Sequence, residues 1–185
     1  MPIPVQQKYI NTIRENSDDF FFLSGPPETG KSHLAMAILG HATKRWASAG
    51  YRQGSLDPFS PPIWYASVPT LMRAFTGMYQ REGDETKPPS PVVTPDRINR
   101  LAAKGLRPVL VLDEFDKSVS TDQRKDFLFD LVNSVWLHNG QVIAISNTSY
   151  AELAKAWGEN FGGGPILRRI GRGDGCHNLA FVKSK

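Results

Sequence analysis

Phe20-Phe21-Phe22-Leu23-Ser24-Gly25-Pro26-Pro27-Glu28-Thr29-Gly30-Lys31-Ser32 decides how this chain is read. The consecutive apolar residues predict a buried strand, and Ser24-Gly25-Pro26-Pro27 predicts the turn that ends it. Leu34, Ala37, Ile38 and Ala42 follow along one face, so a helix is expected from Lys31 to about Ala49. Between strand and helix, Gly25 to Ser32 fits G-x-x-x-x-G-K-[ST] throughout. Such a loop wraps phosphates with backbone N–H groups, and its two glycines permit conformations that other residues resist. The helix behind it aims its positive end at the anion. Lys31 is expected to reach the β- and γ-phosphates, and the Ser32 hydroxyl to ligate magnesium. Gly25, Pro26, Pro27, Glu28, Thr29, Gly30, Lys31, Ser32 and the adjoining His33 are the expected nucleotide-binding stretch, with ATP and Mg2+ as cofactors.

Further along, Val109-Leu110-Val111-Leu112 is an apolar strand that runs into Asp113-Glu114, the Walker B pattern. Asp113 at the strand's carboxyl end can hold the magnesium shell, and Glu114 can polarise an attacking water. Another strand, Gln141 to Ile145, leads to Ser146-Asn147. A polar side chain there can lie between the carboxylates and the γ-phosphate and orient water. Asn147 is therefore a sensor candidate, and the competing reading makes it a helix N-cap before Tyr150.

The remaining elements complete an alternating pattern. A helix is expected over Val5 to Asn16, a strand over Ile63 to Ser67, and a helix through Leu71, Met72, Phe75 and Tyr79. Residues 81–95 are polar and hold Pro88, Pro89, Pro91 and Pro95, which reads as a mobile loop. A short helix is expected from Asp96 to Lys104. The next should start near Ser120, where Ser120-x-x-Gln123 forms a capping box, with Leu128, Leu131, Val132, Val135 and Trp136 inward. His177 to Val182 is a fifth strand. Strands alternating with helices imply one parallel sheet covered on both faces. The expected fold is therefore α/β, a single 1–185 domain with an N-terminal helix within residues 1–17.

Composition fits this picture. The 185 residues suit one domain with a real core, and 40% apolar with 22% charged is ordinary usage for soluble proteins. No apolar run reaches membrane-span length, the N-terminus lacks signal-peptide features, and Cys176 stands alone. A cytoplasmic protein is expected, without a membrane partner. The four histidines show no pairing that suggests a metal. Net charge is +4 with pI ≈ 9.3, compatible with a phosphate-backbone partner.

With these motifs in order, the chain resembles the AAA+ ATPases of the DnaC and DnaI helicase-loader type and the related IstB-type transposition helpers. Gly25 to Leu39 (GPPETGKSHLAMAIL) looks like that family's P-loop and first helix, and Trp64 to Met72 is similar to the segment before its second helix. Leu112-Asp113-Glu114-Phe115-Asp116 and Ser146-Asn147 follow in register. The resemblance implies an AAA+ core with a five-stranded parallel sheet, ATP hydrolysis, head-to-tail homo-oligomers, and a replicative helicase or transposase as partner. Pro165-Ile166-Leu167-Arg168-Arg169-Ile170 looks like the family's arginine-finger helix, which implies that Arg169, or else Arg168, completes a neighbouring subunit's site. No helical lid domain is expected after the last strand.

Helicase loaders carry a helicase-binding domain ahead of this core. Here one short helix is expected before the first strand, so the chain is either a core cut from a larger protein or contacts its partner elsewhere. The family's channel-facing region suggests single-stranded DNA near the proline-rich segment. Arg73, Tyr79, Arg81, Lys87, Arg97, Arg100 and Lys104 could serve it, although Glu82, Asp84 and Glu85 interrupt the charge. Lys44, Arg45 and Arg52 form a weaker patch. A small P-loop kinase and a non-catalytic nucleotide switch remain as other functions compatible with a P-loop.

Overall fold

The computed structural model describes residues 4–16, 19–48, 62–80, 93–117, 121–157, 163–171 and 176–182. In chain order the elements are α1 (Pro4–Glu15), β1 (Phe20–Ser24), α2 (Lys31–Ser48), β2 (Ile63–Ser67), α3 (Val68–Gln80), α4 (Pro95–Ala102) and β3 (Val109–Asp113). They continue with α5 (Asp122–Leu137), β4 (Gln141–Ser146), α6 (Tyr150–Trp157), α7 (Gly163–Gly171) and β5 (Cys176–Ala180).

All strands run parallel in the order β2-β3-β4-β1-β5. Side chains alternate across the sheet, so each strand feeds two cores. Phe20, Phe22, Leu110, Leu112, Val142 and Ala144 face α3 to α7, whereas Phe21, Leu23, Val109, Val111, Ile143 and Ile145 face α1 and α2. This explains the continuous apolar runs of the central strands β1, β3 and β4: both of their faces are covered, whereas the edge strands β2 and β5 keep exposed positions. Phe22 is fully buried and meets Phe115 and Tyr150 edge-on at 6.2 and 5.7 Å. Truncating such a ring costs about 3–5 kcal/mol.

Helix starts follow local chemistry. Thr94 caps α4 by accepting from Arg97 N at 3.2 Å, with Pro95 in the first turn where a missing N–H does no harm. Pro95 thus belongs to a helix and not to the proline-rich loop; Val93 beside it is buried, and residues 81–92 lie outside the described residues. The cap of α5 is Thr121, accepting from Arg124 N at 3.4 Å, and not Ser120. Thr and Ser are near-equal caps, and the periodic apolar face does not distinguish start positions one residue apart.

Two face assignments change. Trp136 is 49% exposed, because it lies about 80° round the helix from Leu128, at the edge of the inward stripe. Among the described side chains of α2 the buried apolar positions are Ala35, Ile38 and Ala42, while Leu34 is half-buried and Ala37 is exposed. Among the described residues no helix is long and apolar enough to cross a membrane, and β5 is the last element.

Candidate nucleotide site

Parallel α/β sheets place their sites at the carboxyl ends of the strands, and here β1, β3 and β4 deliver the expected residues to one such edge. Ser24 ends β1, between Ser146 of β4 and Ala180 of β5. The loop after it turns through positive φ at Gly25 (140°), Glu28 (66°) and Gly30 (90°). Gly25 N donates to Ser146 O at 3.2 Å, and Phe181 N donates to Ser24 O at 2.7 Å, which pins the loop's first residue between two strands. Thr29 Oγ1 closes the turn on Pro26 O at 2.9 Å.

Lys31 opens α2 and is 5% exposed. Its ammonium donates to Gly25 O at 2.7 Å, Pro26 O at 2.6 Å and Asn147 Oδ1 at 3.3 Å. Burial lowers its pKa, and the nearby Asp113 and Asp116 charges oppose that shift. Lys31 and Asn147, which are 116 residues apart, are therefore brought into contact.

Asn147 is not the cap of α6. That role falls to Ser149 in a reciprocal box: Ser149 N and Oγ donate to Glu152 Oε2 at 2.9 and 2.6 Å, and Glu152 N donates back to Ser149 Oγ at 3.3 Å. These bonds hold the Glu152 carboxyl below its ordinary pKa. The Asn147 side chain is left to face the loop.

Asp113 ends β3 directly opposite Ser67 of β2. Its Oδ1 accepts Glu114 N at 2.8 Å, and its Oδ2 accepts the hydroxyl of Tyr65, a residue of edge strand β2. Burial, reinforced by Asp113, pushes the Tyr65 phenol up to about 12, so it stays protonated. Glu114 adopts φ 53°. Its Oε1 pairs with Lys117 Nζ at 2.5 Å and its Oε2 accepts from Ser67 Oγ at 3.1 Å. Lys117 first, and Ser67 second, hold its carboxyl below the usual range. The turn carrying Glu114 is tied to β4: Phe115 N donates to Ile145 O at 2.8 Å, and Asp116 Oδ1 accepts Asn147 N at 3.1 Å.

Ser32 is exposed beside these groups, and its hydroxyl acts on the same Tyr65 phenol that Asp113 accepts from. Ser32, Asp113 and Glu114 offer only hard oxygen donors, which suit magnesium. His33 lines a cavity of about 1080 Å³ between α1 and α2, together with Ile10, Ile13, Leu34, Ile38 and Phe181, and Gly30 forms its loop end.

Tyr65, Ser67, Asp116 and Lys117 carry contacts that motif reading did not assign. Strand alternation puts Tyr65 and Ser67 on one face, opposite Trp64, but their place at the site depends on β2 pairing with β3. The expected finger residues stand apart from this cluster. Arg168 is exposed, while the Arg169 guanidinium lies 4.3 Å from the Trp136 ring centroid and 5.5 Å from that of Phe129. Of the expected DNA-facing residues, Arg73 is exposed and Arg100 pairs with Asp96 at 3.0 Å. Arg97 is half-buried and Lys104 exposed. Arg52, Arg81, Lys87 and the Tyr79 side chain lie outside the described residues.

No protein-family model matches the sequence, and no curated protein matches it. Solved structures match in fold. One is AMPPCP-bound DnaA from Aquifex aeolicus, with TM-score 0.63 and 16% identity over 98% of this chain and 48% of that one. The DnaC helicase loader matches with TM-score 0.60 and 19% identity, over 98% of this chain and 92% of its own. DnaI matches with TM-score 0.64 and 16% identity, over 100% and 85%. The chain spans about half the length of the AMPPCP-bound DnaA chains it matches. At these identities the likeness shows the fold alone, a five-stranded parallel α/β sheet with helices on both faces.

Proposed function

We propose that this chain binds ATP with magnesium and hydrolyses it, as an AAA+ ATPase of helicase-loader type that assembles head to tail and acts on DNA replication machinery. The observation that carries this reading is the meeting of Lys31, Asn147, Asp113 and Glu114 at one sheet edge, from three separate strands. Loop amides and Lys31 bind the phosphates, and the adjoining apolar cavity takes the base. Ser32 and Asp113 hold the ion, which when bound neutralises phosphate charge. Glu114 takes the proton of the attacking water, and Asn147, anchored through Asp116, orients that water.

Arg168 supplies transition-state charge to the neighbouring subunit, because Arg169 is engaged with Trp136 inside its own chain. Likeness to the DnaC helicase loader, and to a DnaA bound to AMPPCP and single-stranded DNA, supports a replication setting and single-stranded DNA as ligand. A replicative helicase or a transposase is the corresponding protein partner.

The test is ATPase rate per subunit against protein concentration, with and without single-stranded DNA. The rate should rise with concentration and respond to DNA. Absence of magnesium-dependent hydrolysis would overturn the enzymatic reading. A constant rate indifferent to DNA would overturn the assembly and DNA reading alone.

A further inference from the structure

Tyr65 belongs to none of the motifs of the site, yet it joins two of its parts. It lies on edge strand β2 opposite Val111, with Ser67 two residues on opposite Asp113. Trp64 and Ala66 pack into the core on the α3 side of the sheet. Alternation therefore turns Tyr65 and Ser67 to the other face, where α2 presents Ser32. From there the phenol donates to Asp113 Oδ2, while Glu114 N donates to Oδ1 at 2.8 Å. Each oxygen of the carboxylate thus has one fixed donor. The group cannot turn about its Cβ–Cγ bond without losing both, and each oxygen keeps a lone pair for a further donor.

The ring itself does little packing, being 40% exposed and outside both core clusters. What the position secures is the hydroxyl. The geometry points to Tyr65 as the positioning residue of the magnesium site, holding the Asp113 carboxylate in the orientation that receives the ion's shell beside Ser32. This rests on the ATP–magnesium reading above. Partners that orient metal-bound groups commonly change metal affinity by about 10–100-fold when removed, and a half-exposed one belongs at the lower end.

Tyr65→Phe keeps the ring and deletes the donor. The full chain and this variant are titrated with magnesium at fixed AMPPCP, reading thermal stabilisation, and AMPPCP affinity is measured separately in EDTA. The expected result is equal affinity in EDTA and a roughly tenfold higher half-saturating magnesium concentration for the variant. In an Asp113→Asn background the same substitution should change that concentration less than twofold, because the hydroxyl acts through the carboxylate. An unchanged or lower magnesium requirement in Tyr65→Phe, or a full additional effect in the Asp113→Asn background, would overturn the inference and leave the ATP reading standing. No magnesium dependence in the unaltered chain would overturn both.

Discussion

Replacing Gly25 with alanine tests the described geometry of the phosphate loop directly. Gly25 has φ 140°, and a Cβ placed on it would lie 2.3 Å from Phe181 O and 3.0 Å from the Phe181 carbonyl carbon and Cβ. Ordinary contact begins near 3.4 Å, so the end of β5 must retreat by about 1 Å. It is poorly free to do so. Phe181 N is bonded to Ser24 O at 2.7 Å, its ring is 5.0 Å from that of Tyr9, and the Tyr9 hydroxyl donates to Ala180 O. Backbone strain of about 1–3 kcal/mol, overpacking of about 1–3 and about 1 for the stretched bond give roughly 3–7 kcal/mol of destabilisation. Loss of glycine's freedom in the unfolded chain offsets up to about 1 kcal/mol of this. At about 2–4 °C per kcal/mol for this size, Tm should fall by roughly 4–28 °C. The assay is thermal unfolding by circular dichroism without nucleotide. Gly40→Ala is the internal control, since nothing lies within 4 Å of its Cβ within α2. There helix propensity alone operates, and Tm should rise by about 1–4 °C. A fall of less than about 2 °C for Gly25→Ala would refute the close approach of loop and β5.

Further outcomes follow from the contacts described above. Ser149→Ala removes the α6 cap and should lower stability by about 1 kcal/mol, read as a Tm shift. Glu152 has a depressed folded pKa, so its contribution is present above the ordinary carboxylate range and is lost as pH falls through the folded value. Glu152→Gln should therefore flatten the acid side of the Tm–pH curve between the ordinary carboxylate pKa and the lower folded pKa, and an unchanged slope there would rule out that linkage. Glu114→Gln should keep AMPPCP affinity while single-turnover hydrolysis falls by about 10²–10⁴-fold, and undiminished turnover would remove Glu114 as the base. Arg169→Ala should lower Tm through lost stacking on Trp136, worth about 0.5–1 kcal/mol. Arg168→Ala should leave Tm unchanged yet cut concentration-dependent ATPase by about 10³-fold; the reverse pattern would restore Arg169 as the finger.

Much of the fold was legible because its signals are local. The run Phe20–Leu23 and the spacing of Gly25, Gly30 and Lys31 each report on a few adjacent residues. Buried parallel strands also advertise themselves as unbroken apolar runs. What escaped is set by packing between distant segments. Trp136 satisfies the apolar period of α5, but burial at the edge of a stripe depends on where α7 lies, which the helix's own sequence does not encode. Asn147 and Ser149 are both good caps by propensity; the choice is made by Glu152, whose carboxylate reaches back to Ser149. Tyr65 and Ser67 become site residues only because β2 pairs with β3 in the register that sets Ser67 against Asp113. Strand order is a global property, so no window around Tyr65 contains it.

The same long-range ties show why Lys31 and Asn147 act as one unit. The ammonium of Lys31 has three protons, and Gly25 O, Pro26 O and Asn147 Oδ1 give it three acceptors. Any anion that this lysine receives must displace one of them. Gly25 O and Pro26 O lie close, at 2.7 and 2.6 Å, whereas Asn147 Oδ1 stands at 3.3 Å and belongs to an exposed side chain. Asn147 is thus the contact that yields first. Its backbone N–H stays bonded to Asp116 Oδ1, so the side chain is released while its root is held next to the Asp113–Glu114 turn. Under the proposed reading, a phosphate received by Lys31 would displace Asn147 first, and the longest of the three hydrogen bonds is what would let this side chain sense it.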